Sequence, residues 1–422
     1  MPARRWLPGL PARLLAGLLS LAALSPPSAV AEAPEDAGPL TVLSWGGAYE
    51  RAQRRALFTP FTEATGIPVE AARYNGGLSD LRRAVANDAV PWDVLDMTRS
   101  EAMAACAEGL LAPLPADLVA PAPDGTPAAE DFLPDALGRC AISHSIFATV
   151  VAYRRDAFPG RRPTRIADLF DQERFPGPRA LQRTPAANLE WALLSYRVPR
   201  EALYRLLSTR RGLELAFARL RGLDEIHWWQ AGETPVEWLA EGRVVMASGY
   251  NGRFFAAMVE RDLPIEILWD GQLQEHETWA IPRGAPHLEA ARDFIRFATS
   301  SERQAELARH IPYGPARRSA AMQVTTHRDS GLDMRLHIPT HPLNAQGAVT
   351  KDETWYARTR ERIEALFREA LLAPTPRPSR EPPISLRLNQ QVPGGERALA
   401  EGPQAHRHPR LLQAQQTVQH QP

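Results

Sequence analysis

The chain has 422 residues, with 49 acidic and 49 basic side chains and no net charge. This balance gives no electrostatic case for nucleic acid or for an anionic membrane surface as partner. The length is enough for two lobes, each with its own core. The basic residues are almost all arginine; Lys351 is the only lysine, which reads as codon composition rather than a binding role.

Residues 1–31 have the three parts of a secretory signal. Arg4, Arg5 and Arg13 supply positive charge, Leu14 to Leu24 form an apolar run, and Ala29-Val30-Ala31 is a cleavage site. The run is too short to cross a bilayer, which takes about 20 apolar residues. The expected protein is therefore exported and soluble outside the cytoplasm. Cys106 and Cys140 are the two cysteines of the chain, and in an oxidising compartment an even count predicts a disulfide rather than two free thiols.

After a Pro- and acid-rich start at 33–39, strand-like and helix-like segments alternate. Strands are expected at 40–45, 67–73, 92–96, 146–153, 178–183, 226–229, 243–248, 264–268 and 277–281. Helices are expected at 48–64, 78–88, 99–108, 187–197, 200–206, 211–222, 235–241, 251–260, 287–299, 301–309 and 352–371. The alternation predicts an α/β fold with parallel sheets. Residues 374–422, rich in Pro, Arg, Gln and His, cannot bury enough apolar surface to offset their ordering entropy and read as a disordered tail. Its His406, His408 and His420 read as passive rather than as metal ligands, and no cofactor or metal is expected.

The sequence carries no nucleophile elbow, P-loop, HExxH or GxGxxG. It does place aromatic and acidic residues at expected strand ends, where open α/β sheets bind ligands. Trp45 and Tyr49 flank Gly46-Gly47 after the first strand. Tyr250 precedes Asn251-Gly252, Glu277 and Trp279 lie on a late strand, and Tyr313 precedes Gly314-Pro315. Rings with carboxylates suit an ammonium ligand, through cation–π contact and charge pairing.

Several blocks resemble, in order over residues 40–370, the periplasmic solute-binding proteins of ABC importers, in particular the spermidine/putrescine-binding branch. They are LTVLSWGGAYERAQRRALFTPFTEATGIPVEAARYN, WDVLDMTRSEAMAACAEGLLAPLP, the segment from Cys140 through Pro163-Thr164 to Phe170, VVMASGYNGRFFAA, HETWAIPRGAP and IPYGPARRSA. The resemblance implies a two-lobed periplasmic-binding-protein fold with hinge strands and a central ligand cleft. Lobe one would hold 40–148 plus 279–322, and lobe two 149–278 plus 323–373. It implies a monomeric, non-enzymatic receptor that captures a small amine-bearing solute and delivers it to an inner-membrane permease. Trp45, Tyr49, Arg183, Tyr250, Glu277 and Tyr313 fall on the polyamine site. Arg183 stands where polyamine binders have an acidic pair, so a zwitterionic ligand fits as well as a diamine. The alternative from another class is an enzyme on the same scaffold, with Glu277 and His276 as acid and base.

Overall fold

A computed structural model describes residues 38–73 and 76–372. The expected leader and tail lie outside these residues.

The strands are β1 (Leu40–Ser44), β2 (Val69–Arg73), β3 (Val94–Thr98), β4 (Ala141–Arg154), β5 (Arg179–Gln182), β6 (Ile226–Trp229), β7 (Met246–Tyr250), β8 (Ile265–Ala280), β9 (Gly314–Pro315) and β10 (Val349–Thr350). Among the described residues they make one sheet of order β2-β1-β3-β8-β4-β7-β5-β6, with β10 beside β8 and β9 beside β4. β1 is apolar and almost wholly buried, as befits a strand paired in parallel on both sides, with β2 and β3.

The two long strands organise the rest. β4 and β8 run antiparallel from Ala141↔Ala280 to Arg154↔Ile265. β3 adds to the C-terminal part of β8 at Leu95↔Ala280 to Thr98↔Glu277. β7 adds to the C-terminal part of β4 at Thr149↔Tyr250 to Tyr153↔Met246. The apolar core divides along the same line. One cluster gathers Leu40, Val42, Phe58, Phe61, Trp279 and Phe294. Another gathers Tyr153, Leu181, Trp191, Leu213, Ile363 and Phe367. β4 and β8 contribute residues to both clusters and so run from one to the other.

Two expectations from sequence need correction. The sheet is mixed rather than parallel, because β4 and β8 pair antiparallel with each other and with β7 and β3. The segments 264–268 and 277–281 are one strand, not two. Residues 269–276 look like a loop because they are polar and include Gly271, whose φ of 74° breaks regular strand geometry. The break coincides with a register shift opposite Thr149/Val151, a bulge of the kind that lets a strand bend without ending.

Four helices position the site. α1 (Gly47–Gln53) opens a continuous helical run that passes through a π turn at Arg54–Phe58. α2 (Arg99–Ala107) starts in a capping box between Thr98 and Glu101. α3 is Asn251–Glu260 and α4 is Glu353–Phe367. Cys106 at the end of α2 is disulfide-bonded to Cys140, just before β4, with Cα atoms 5.9 Å apart. The bridge closes a loop whose entropy cost in the unfolded chain is worth about 3–4 kcal/mol.

Candidate functional site

The loop after β1 carries Trp45 past Gly46 and Gly47, both left-handed with φ of 70° and 61°. This turn aims the indole inward, where Nε1–H donates to Glu277 Oε1 on β8. One turn of α1 further on, Tyr49 is 2 % exposed. Its ring lies 5.2 Å from that of Tyr313, and Phe147 lies 5.9 Å from Tyr313 and 5.6 Å from Tyr250. Trp45, Tyr49, Phe147, Tyr250 and Tyr313 thus wall a small cavity of about 40 Å³, into which Glu277 and Arg253 also face.

The acid side of this cavity is unusual. Glu277 and Asp96 are 3 % and 0 % exposed. Burial, and then the neighbouring Asp96, push the Glu277 carboxyl well above the usual range. Asp96 accepts from Tyr49 Oη at 2.9 Å and from Gln53 Nε2, and His144 Nε2 lies 3.3 Å from its Oδ1. Burial and the Glu275 carboxylate raise the Tyr250 phenol to about 12, so it stays neutral. It receives a hydrogen bond from Gln182 Nε2 at 2.9 Å.

The basic side is Arg253, on the first turn of α3. Its Nη1 pairs with Glu233 and its Nη2 donates to Trp45 O at 2.9 Å. Nε is buried with no partner among the described residues, a donor left over beside the cavity.

A wider cavity of about 570 Å³ adjoins the small one, sharing Trp45, Thr98, Phe147, Tyr250 and Arg253 with it. Its far wall holds a second set of charges. Lys351 Nζ pairs with Glu275, lies 3.8 Å from Glu353, and donates to Ser100 Oγ at 3.2 Å. Arg360 on α4 pairs with Glu101 on α2 at 2.9 Å. The lone lysine is therefore a buried neutraliser, a role that composition alone hid.

Of the residues singled out from sequence, Trp45, Tyr49, Tyr250, Glu277 and Tyr313 meet around the small cavity. Arg183 does not: its side chain is exposed and lines the wider cavity only. Arg253 was missed. An arginine after Asn251-Gly252 reads as a solvated helix residue, and only the approach of Trp45 and Glu233 buries it. The acid–base pairing of Glu277 with His276 fails on geometry. Neighbours on a strand point to opposite faces. His276 Nδ1 lies 3.0 Å from Ser143 Oγ, and burial, then Arg99, lower its pKa to about 4.

Rings, a buried carboxyl and a buried guanidinium meet at one small cavity, as in a small-molecule binding site. Residues 56–333 match the family described as bacterial extracellular solute-binding protein, and the chain belongs to that family. It is 36 % identical over 330 residues to the gamma-aminobutyric acid-binding protein of Pseudomonas aeruginosa, spanning 78 % of this chain and 89 % of the relative. The solved periplasmic binding protein AgtB from A. tumefaciens R10, in complex with agropinic acid, is 26 % identical with a TM-score of 0.68, covering 79 % of this chain and 99 % of its own. A solved GABA receptor is 25 % identical with a TM-score of 0.66, covering 79 % and 97 %. The family places the protein outside the cytoplasm and among binding proteins rather than enzymes. The polyamine branch suggested by the sequence blocks is not supported: these relatives are named for GABA and agropinic acid.

Proposed function

We propose that the protein is the extracytoplasmic receptor of an ABC importer for a small zwitterionic amine, an ω-amino acid of the GABA type. It would be exported by the leader at 1–31, close its two lobes over the ligand about β4 and β8, and pass it to an inner-membrane permease. One observation carries the ligand class. A buried carboxyl without a cation of its own, Glu277, and a buried guanidinium with a spare Nε–H, Arg253, face the same aromatic cavity. An ammonium head fits against Glu277 among the rings, and a carboxylate fits Arg253. A diamine would set its second ammonium against Arg253, an uncompensated repulsion in a low-dielectric site. The name of the Pseudomonas relative supports the same class. Ligand that binds the closed arrangement better shifts the open–closed population toward it.

Isothermal titration calorimetry against GABA, putrescine and spermidine tests this reading. GABA should bind stoichiometrically and the polyamines weakly or not at all. Tighter binding of either polyamine, or turnover of the amine, would overturn it.

A further inference from the structure

We propose that Asp96 sets the charge of the ammonium site through Glu277: in the ligand-free receptor the two carboxyls hold one proton between them, and a primary-amine head binds by replacing that proton with its own charge. This rests on the amine reading of Glu277 given above.

The placement follows from strand register. β3 and β8 pair with Thr98 opposite Glu277 and Asp96 opposite Trp279. Glu277 and Asp96 are therefore diagonal neighbours on one face of the sheet, within reach of each other. Both carboxyl groups are buried, and Asp96 is among the neighbours that push Glu277 upward, after burial itself. Like charges so close and so deeply buried cannot both stay ionised.

The surroundings say which group carries it. Asp96 already accepts from Tyr49 and Gln53, and His144 Nε2 lies 3.3 Å from its Oδ1, so its oxygens are largely occupied. Glu277 receives the Trp45 indole N–H on Oε1, which leaves its other oxygen to carry the proton. The titratable and charged groups facing the pair are Tyr49 from α1, Glu101 from α2, His144 from β4, Tyr250 at the end of β7, Arg253 from α3, and Tyr313. Arg253 is engaged by Glu233 and by the Trp45 carbonyl. His144 Nδ1 is buried without a partner among the described residues. Arg253, so engaged, does not take over the proton's task.

The exchange balances simply. The protonated receptor and the ammonium ligand give the complex, with Glu277 now ionised against the ammonium, plus one proton released to solvent. No bond in the ligand breaks. Affinity for a primary amine should therefore rise by up to about tenfold per pH unit while the pair is protonated and the amine stays charged.

Infrared spectroscopy of the ligand-free protein at neutral pH reads the proton directly. The carbonyl band of a protonated buried carboxyl should be present in the wild type and missing from Glu277→Gln. Any band from Glu190, also buried, cancels in the difference. In Asp96→Asn the band should titrate away at lower pH than in the wild type. Should Asp96→Asn fail to fold, the Glu277→Gln comparison decides. Calorimetry with GABA in phosphate and in Tris at one pH should then give enthalpies that differ by the ionisation enthalpy of about one proton per ligand bound. Identical wild-type and Glu277→Gln spectra, or GABA binding with no buffer dependence, would overturn the proposal. If GABA does not bind at all, the ligand class falls, while the spectra still decide the shared proton.

Discussion

Gly47 leaves no room for a side chain against Arg253. A Cβ there would stand far inside van der Waals contact of Arg253 Nη1 and Glu233 Oε1. The first-loop backbone thus lies directly on the ion pair that joins α3 to the loop before Pro235, and the carbonyl of Trp45 accepts from the same guanidinium.

Gly47→Ala should therefore push the Glu233–Arg253 pair out of place and weaken GABA binding by about tenfold or more, about 1.4 kcal/mol. Part of any effect will be backbone strain, since φ is 61° and left-handed geometry costs roughly 1–2 kcal/mol outside glycine. Gly331→Ala is the control: φ is 72° and nothing lies within 4 Å of its Cβ position. Calorimetry and thermal melts of both variants separate strain from displacement; equal affinities would remove the role given to the contact.

Glu277→Gln keeps the size of the side chain and removes its charge. A charge-assisted hydrogen bond is worth about 1.5–3 kcal/mol, so amine affinity should fall by about one to two decades. Stability should move the other way. Burial, and then Asp96, hold the Glu277 carboxyl well above the usual carboxylate range in the folded protein. Its contribution is complete below the unfolded value and is lost as pH rises toward the folded one. The Gln variant lacks this slope, so its melting temperature should gain on the wild type as pH climbs from acid to neutral. Parallel pH–stability curves would contradict this.

The two arginines should separate cleanly. Arg253→Gln removes the cation beside the small cavity, so GABA should bind at least tenfold more weakly, about 1.4 kcal/mol, while putrescine gains. Arg183→Ala, on the wider cavity, should leave GABA within about twofold, about 0.4 kcal/mol. A large loss at Arg183 with none at Arg253 would reverse their assignment.

Lys351→Met should destabilise the fold strongly. Glu275 and Glu353 would keep buried carboxyls with no cation, and breaking a buried pair from one side costs about 3–5 kcal/mol. Urea unfolding measures it. A loss below about 1 kcal/mol would mean that the pair contributes no more than a surface bridge.

Local pattern made much of this readable. A buried apolar run before Trp45-Gly46-Gly47 marks β1 and its loop, and α3 spans Asn251–Glu260 as the sequence predicts. Tyr250 and Tyr313 stand beside Gly or Pro, poor places for ordinary core aromatics, and both line the cavity. What escaped depends on distant partners. β8 looks interrupted because Gln272 and Glu275 are polar, yet Gln272 donates to Pro339 O and Asn344 O, and Lys351 neutralises Glu275. Asp96 and Arg99 stand close enough in sequence to suggest a local ion pair, but strand register places Asp96 on the face of Glu277. Arg99 Nε donates instead to Asp135 O.

The seclusion of Lys351 has a practical side. It is the sole lysine of the chain and is 7 % exposed, locked between carboxylates. Reagents that acylate amines will find this side chain closed to them on the native fold. A dye, biotin or surface linker of that chemistry therefore spares the wider cavity that Lys351 lines.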